Sequence, residues 1–303
     1  MSTQTKKDKP LFSLVAGGVA GAIEAAATYP TEYVKTQIQL QGKSATSATH
    51  FKGPLDCLMS TVKNQGFFSL YRGLSAMLIG NSSKAAIRFY SFNYFKNLLA
   101  DEKGQLSAPR SLLAGLGAGM SEAILVVTPT ETIKTKLIQD QNTSHPRYKG
   151  LVHGTSQIIK EEGILGIYRG LTAVMLRQGA NQAVRFTVYN FLKQEMQKRT
   201  KPGQQIHWAT TFGMGMIAGT VTVYSTMPFD VVKTKMQSIH ARQLYKNTLH
   251  CMWVVFRDEG VFALWKGATP RLSRLVFSGG IVFTVYEQVM KLFNYLSPQS
   301  LEQ

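Results

Sequence analysis

One pattern, a proline followed by an acid two residues later and a lysine three residues after that, occurs three times in this chain. The copies begin at Pro30, Pro129 and Pro228, which are 99 residues apart. A second pattern, Gly-x4-aromatic-basic-Gly, begins at residues 66, 163 and 260, which are 97 apart. Internal repeats of this length indicate several copies of one folding unit. The 303 residues are therefore predicted to form one pseudo-threefold body.

An apolar stretch of membrane-spanning length leads into each proline. The stretches cover 11–29, 111–128 and 208–227, and their only acids are Glu24 and Glu122. About 20 apolar residues of helix are enough to cross a bilayer. Each stretch also has two glycines four residues apart, a spacing that lets membrane helices pack closely: Gly17 and Gly21, Gly115 and Gly119, Gly215 and Gly219. The second pair lies one residue farther from its proline, which predicts a one-residue insertion in that helix.

Three further spans, at 74–99, 171–196 and 268–292, follow the second pattern and carry basic side chains. A charge that faces lipid is costly, so these side chains are expected to face an internal cavity. The candidate cations share helical faces and are Lys84, Arg88, Arg177, Arg185, Arg271 and Arg274. Half of the spans would thus line water, which accounts for a mean hydropathy of only −0.06.

Polar, amphipathic segments precede these spans, at about 54–64, 151–161 and 248–258, and are expected to lie along the membrane surface. The predicted fold class is an all-α membrane protein with six transmembrane helices in three pseudo-threefold repeats, each with a short surface helix. The predicted boundaries are a polar tail at 1–10 and repeats at 11–100, 108–198 and 207–296.

Composition limits the classes of function that are open to this chain, but it does not select one. A net charge of +17 suits nucleic acid, an anionic membrane or an anionic substrate. A basic nucleic-acid-binding protein is the alternative from another class, but it leaves six spans of bilayer length unexplained. Neither the two cysteines, Cys57 and Cys251, nor the scattered histidines form a metal or catalytic pattern, so no enzyme, metal or cofactor is expected. The tail at 1–10 has no signal-peptide core, so targeting is expected to be internal.

The two repeated patterns together resemble those of the mitochondrial carriers over about residues 10–296. Three segments, 180–185, 223–228 and 266–274, resemble the tricarboxylate (citrate) carriers of that family, especially the fungal type. The resemblance implies an inner-membrane antiporter that works by alternating access, with both termini toward the intermembrane space and the surface helices toward the matrix. It also implies a functional monomer with cardiolipin at the starts of the surface helices, and no nucleic-acid partner.

By the same resemblance, the acid of each proline pattern would pair with the lysine of the next repeat and close a gate on the matrix side. The expected pairs are Glu32 with Lys134, Glu131 with Lys233, and Asp230 with Lys35. Proline is expected to kink each helix there, because it lacks an N–H group and clashes with the preceding turn. Gln37 would brace one pair, since the equivalent positions hold Lys136 and Lys235.

The opposite gate departs from the family pattern of aromatic-acid-x-x-basic. Asn93 and Asn190 stand where acids are expected, and a methionine replaces the third lysine. One ionic pair is left, Glu287 with Lys96, while Lys193 has no acid partner in this pattern. A weaker gate on the cytoplasmic side is therefore expected.

The substrate prediction rests on the cavity cations. Arginine forms bidentate hydrogen bonds with carboxylates, and several cations indicate a multiply charged anion. Gln178 and Gln182 would add neutral hydrogen bonds, and Arg177-Gln178 resembles a contact pair that the family uses for organic acids. Citrate or a related tricarboxylate is the expected substrate, and a dicarboxylate or oxoacid exchanger is the alternative.

Overall fold

A computed structural model describes residues 10–41, 51–100, 108–141, 143, 146–199 and 208–296. Every regular element in these ranges is helical. The bounds of the long helices are α1 Pro10–Leu40, α3 Leu74–Leu99, α4 Ala108–Glu122, α5 Thr128–Asp140, α7 Leu171–Arg199, α8 Trp208–Met236 and α11 Ala268–Leu296. A π-helical turn joins α4 to α5, so these elements form six long rods. The predicted polar tail at 1–10 lies almost wholly outside the described residues.

A short helix follows each odd-numbered rod, as the amphipathic segments predicted. The three short helices are α2 Pro54–Gln65, α6 Leu151–Glu162 and α10 Thr248–Glu259. Each ends at a glycine and continues into a 3₁₀ turn, at Phe67–Tyr71, Ile164–Tyr168 and Val261–Trp265. One extra turn, α9 Ala241–Leu244, precedes α10.

The six rods form a closed ring. The most extensive packing joins α3 to α4, α7 to α8, and α11 back to α1, so each repeat packs against the next. Because the chain runs along the bundle six times, the two ends of the described chain, Pro10 and Leu296, lie at the same end of the bundle, here called the terminal side. The short helices lie at the other end, called the helix side. A central cavity between the rods is the consequence of this arrangement.

Among the described residues, only the second repeat contains a π-helical turn, Ala123–Val127. A π turn takes one residue more than an α turn. It therefore accommodates the insertion predicted from the displaced glycine pair, and it returns Pro129 to the register of Pro30 and Pro228. Pro30 and Pro228 lie inside helices that continue to Leu40 and Met236, respectively. The expected kinks stay a prediction.

Within the described residues, one stretch, Leu113–Asp140, is long and apolar enough to cross a membrane by length and composition.

Glycines with positive φ end the second pattern of each repeat and start the following rod. Gly73, Gly170 and Gly267 have φ of +88°, +84° and +85°, a region that favours glycine. Each also packs closely on the next repeat. A Cβ at Gly267 would lie 3.1 Å from Cγ of Lys35 and 3.3 Å from Cγ of Gln39. These glycines let neighbouring repeats approach beside the proline patterns.

The short helices bury small side chains against the odd-numbered rods. Cys57 on α2 and Cys251 on α10 occupy equivalent positions and are fully buried as free thiols. Burial raises the pKa of each thiol to about 12. Cys57 shares an apolar cluster with Tyr29, Tyr33 and Ile138, which links the first repeat to the second.

Candidate functional site

Three ion pairs join neighbouring repeats just beyond the prolines. Lys134 Nζ lies 2.7 Å from Glu32 Oε1, Lys233 Nζ lies 2.9 Å from Glu131 Oε2, and Lys35 Nζ lies 2.6 Å from Asp230 Oδ2. Each pair joins the acid of one repeat to the lysine of the next. We call these six residues the motif ring. All six side chains are at least four-fifths buried, so the ring closes the bundle toward the helix side.

A cavity of about 370 Å³ lies beside the ring and between the rods. Its walls hold eight lysines and arginines and three carboxylates. The three carboxylates all belong to the motif ring. The cations are Lys35, Lys84, Lys134, Arg177, Arg185, Lys233, Arg271 and Arg274. The cavity is therefore strongly electropositive and suits a multiply charged anion.

Three arginines lie against the ring carboxylates. Arg177 reaches Glu131 Oε1 at 3.6 Å and Asp230 Oδ1 at 3.7 Å. Arg274 lies 3.1 Å from Glu32 Oε2 and 3.7 Å from Glu24 Oε1.

Arg271 lies 3.9 Å from Asp230 Oδ2 and donates hydrogen bonds to Asn181 Oδ1 and Thr226 Oγ1, both at 3.2 Å. Most contacts between these arginines and carboxylates exceed 3.5 Å, which is longer than a good charge-assisted hydrogen bond.

Lys84 and Arg185 differ from these three arginines because, within the described part of the chain, neither makes an ion pair. Lys84 Nζ has one hydrogen-bond partner there, Asn81 Oδ1 at 3.5 Å. Both side chains line the cavity. They are the cations most available to a bound anion.

Two residues predicted to contact the substrate lie off the face of α7 that lines the cavity. Arg177, Asn181 and Arg185 line the cavity at four-residue intervals, whereas Gln178 and Gln182 do not. Each glutamine lies about 100° around the helix from its neighbour on that face. Gln182 is exposed, and Gln178 Nε2 is buried and has no hydrogen-bond partner among the described residues.

Arg88 is also absent from the cavity wall. Its Nε lies 2.7 Å from Glu122 Oε2, so it forms a structural ion pair with the acid of the neighbouring rod.

Gln37 does not touch the motif ring. Its Nε2 donates to Ile138 O at 2.7 Å and to Tyr33 Oη at 3.2 Å. The physical reason is helical phase, because a residue two positions after Lys35 points away from it. Gln39, four positions after Lys35, shares its face, and Gln39 Nε2 donates to Asp230 Oδ2 at 3.2 Å.

The residues predicted for the second gate lie apart on the terminal side. Glu287, Lys96, Lys193 and Asn93 are exposed, and Asn190 is half-buried. Among the described residues, Glu287 and Lys96 form no ion pair with each other. The structure thus has the ring closed and the terminal side open, and the second gate stays a prediction.

Sequence reasoning missed three residues that line the cavity: Asn81, Thr130 and Thr222. Asn181 and Ser278, which share helical faces with the predicted arginines, line it as well. Lys84, Asn181 and Ser278 occupy equivalent positions in the three repeats, and all three line the cavity.

The described residues contain no group of three or more His, Cys, Asp or Glu side chains placed to hold a metal ion. His153 and His250 accept backbone N–H bonds at the starts of their short helices.

Comparison with known proteins gives a consistent result. A family model described as "Mitochondrial carrier protein" matches residues 6–103, 104–200 and 204–297. The chain is 45% identical over 301 residues to mitochondrial citrate transporter A of Aspergillus niger, which covers 98% of each chain. It is 46% identical to the tricarboxylate transport protein of Saccharomyces cerevisiae, over 95% of this chain and 98% of the relative. Identity to the mitochondrial tricarboxylate transport protein of Bos taurus is 44%, over 97% of this chain and 93% of that protein.

Proposed function

Because the chain belongs to the mitochondrial carrier family, we propose that it is an inner-membrane antiporter that exchanges citrate or a related tricarboxylate for another tricarboxylate or malate. The relatives named as citrate or tricarboxylate transporters support this substrate class over nearly the full chain. The transport needs no covalent chemistry, and it requires no metal or cofactor.

The observation that carries the proposal is the division of the cavity cations into two kinds. Lys84 and Arg185 have no acid partner among the described residues, and they supply attraction for an incoming anion. Arg177, Arg271 and Arg274 already lie near ring carboxylates, mostly at long distances. A tricarboxylate offers three anionic groups, which is enough to engage the two free cations and to compete for the arginines.

Competition for these arginines provides the coupling between binding and movement. When a substrate carboxylate draws Arg177 away, Glu131 and Asp230 both lose a positive neighbour. The ring side chains are at least four-fifths buried, so parting the pairs is costly unless the substrate or water replaces the contacts that are lost. Binding energy from the anion then offsets the loss of the ring, while Glu287 and Lys96 come together on the terminal side.

The arrangement in the membrane follows from the same proposal. The terminal side would face the intermembrane space and the helix side the matrix. The starts of the short helices lie beside Lys52, Lys149 and Lys246, and a helix start next to a cation suits the phosphates of cardiolipin. One chain contains the whole cavity, which supports a functional monomer.

A dicarboxylate or oxoacid exchanger is the second candidate. It is favoured by the fact that, among the cavity cations, only Lys84 and Arg185 have no acid partner within the described residues, since two cations match two carboxylates. The two candidates differ in whether Arg177, Arg271 and Arg274 take part in binding.

The test is uptake of labelled citrate into liposomes that contain the purified protein and are preloaded with citrate, malate, 2-oxoglutarate or no anion. Fast uptake against internal citrate or malate, and none into empty liposomes, is the expected result. Exchange of labelled malate or 2-oxoglutarate without any citrate uptake would select the second candidate. No exchange of any of these anions would refute both.

A further inference from the structure

One position on the odd-numbered rods holds an acid in two repeats and a threonine in the third. Glu24, Glu122 and Thr222 each follow the first residue of their rod's glycine pair by seven residues. Glu122 lies one residue farther from its proline than the other two, because the π turn that follows it takes an extra residue. All three side chains are buried. They therefore occupy equivalent places in the bundle.

The even-numbered rods carry the residues that face these positions. The 97-residue period makes Arg88, Arg185 and Val282 equivalent. Arg88 Nε reaches Glu122 Oε2 at 2.7 Å where α3 packs against α4. Because α7 packs against α8 as α3 packs against α4, the repeat directs Arg185 toward the position of Thr222.

Thr222 offers Arg185 no negative charge. Its hydroxyl donates to Ala218 O at 2.6 Å, within its own rod. Arg185 makes no ion pair among the described residues, and both side chains line the cavity. Arg88, which Glu122 holds, is absent from the cavity wall. Two arginines at equivalent positions thus differ in their availability, and the residue on the facing rod accounts for the difference.

The third contact between repeats, where α11 packs against α1, shows the converse arrangement. Val282 stands where the other two repeats hold arginine, so Glu24 has no arginine at the equivalent position. Glu24 Oε1 instead accepts a hydrogen bond from Thr28 Oγ1 at 3.1 Å and lies 3.7 Å from Arg274 Nε. The three contacts therefore hold an ion pair, a cation and an acid in turn.

An arginine that already has a buried acid partner binds a new anion at a cost. Glu122 has a side chain that is 7% exposed, so moving Arg88 away from it would leave a buried carboxylate unpaired. Arg185 has no such partner to lose within the described residues. It can form a charge-assisted hydrogen bond with an incoming carboxylate without breaking an existing pair.

We infer that Thr222 is a positioning residue that acts through Arg185, because its lack of charge leaves the guanidinium free for a substrate carboxylate. The inference rests on the proposed function, since a free arginine affects transport only if an anion enters the cavity. An acid at this position would make the contact of α7 with α8 like that of α3 with α4, and would remove one cation from the site.

The first experiment measures exchange kinetics in liposomes. Thr222→Glu, which copies the acid of the second repeat, is expected to raise KM for labelled citrate about tenfold, the order expected when one charge-assisted hydrogen bond is lost. The change in kcat should be smaller, because the lost contact serves binding. Thr222→Gln has the size of glutamate without the charge, so it should raise KM much less. Adding Arg185→Gln to Thr222→Glu should raise KM no further, because that cation is already occupied.

The second experiment measures Tm in detergent without any anion, so it is independent of transport. If the introduced acid pairs with Arg185, then Arg185→Gln should lower Tm more in the Thr222→Glu protein than in the wild type. The matched control is Arg88→Gln, which removes the equivalent arginine of the first repeat. It should lower Tm equally in both backgrounds. Thr222→Asp adds the charge on a smaller side chain and replaces Thr222→Glu if that variant does not fold.

Equal KM values in Thr222→Glu and Thr222→Gln, or the same effect of Arg185→Gln on Tm in both backgrounds, would overturn the inference. Failure of the proposed function gives a different result. If the wild type exchanges malate or 2-oxoglutarate but not citrate, the substrate assignment is wrong, and KM for the exchanged anion then tests Thr222. If the wild type exchanges no anion, the proposed function fails, and the Tm comparison alone decides whether Thr222 keeps Arg185 unpaired.

Discussion

Replacing Asp230 with asparagine should destabilise the protein more than any other single change in the motif ring. The Asp230 side chain is 1% exposed. It lies 2.6 Å from Lys35, 3.7 Å from Arg177 and 3.9 Å from Arg271. An amide leaves all three cations without their shared anion. Removing one member of a buried ion pair costs about 3–5 kcal/mol.

Lys35→Met should cost less, although it removes the other member of the same pair. Asp230 keeps Arg177, Arg271 and the amide of Gln39 as partners, so the loss is that of one hydrogen bond to a charged group, about 1.5–3 kcal/mol. The double variant should be little worse than Asp230→Asn alone, because the contact between the two residues is already lost. The structure thus predicts that loss of Asp230 lowers the stability of the protein more than loss of Lys35.

Thermal unfolding in detergent with a thiol-reactive dye measures these differences. Burial raises the pKa of Cys57 and Cys251 to about 12, so the thiols stay protonated and react only when the fold opens. Asp230→Asn should lower Tm by roughly 10 °C. Glu161→Gln is the control, because Glu161 is one-third exposed and pairs with Arg147 at 3.6 Å, which makes it a surface pair of little worth. The reasoning is refuted if Lys35→Met has a lower Tm than Asp230→Asn, or if Asp230→Asn has the same Tm as the control.

Three further predictions follow from the described contacts. At about pH 8, maleimide should leave Cys57 and Cys251 unlabelled in the native protein and label both in SDS, since the raised pKa keeps the thiolate population small; fast native labelling would contradict their burial. Gly267→Ala should lower stability by more than about 1 kcal/mol, because of its φ of +85° and its approach to Lys35, whereas Gly53→Ala, with φ of −179° and open space, should be neutral; equal melting temperatures would argue against the close approach. Glu287→Gln should leave Tm unchanged but slow exchange, and adding Lys96→Gln should slow it no further; an unchanged exchange rate would remove this pair from the second gate.

Repetition made most of the fold predictable from the sequence. The intervals of 99 and 97 residues fix which side chains are equivalent, and hydrophobic spans between them fix the rods. The displaced glycine pair even predicted the extra residue that the structure holds as a π turn before Pro129. Such predictions succeed because each repeat supplies an independent copy of the same signal.

The site was less predictable where helical phase decides contact. Gln37 was chosen by resemblance, and Gln178 and Gln182 for their place beside the arginines, yet Asn181 and Gln39 occupy the faces that meet the cavity and the ring. A step of four residues from Lys35 would have found Gln39. Arg88 was misplaced for another reason, because its sequence position does not show that Glu122 on the neighbouring rod is closer than the cavity.

The most direct test of the account is the citrate exchange rate of Lys84→Gln and Arg185→Gln beside Lys198→Gln, which removes an exposed cation from the same helix as Arg185. The account predicts that kcat/KM for citrate falls about tenfold or more in the first two variants, as expected when a charge-assisted hydrogen bond to the substrate is lost. Lys198→Gln should match the wild type. Equal kcat/KM in all four proteins would contradict the assignment of this cavity as the binding site.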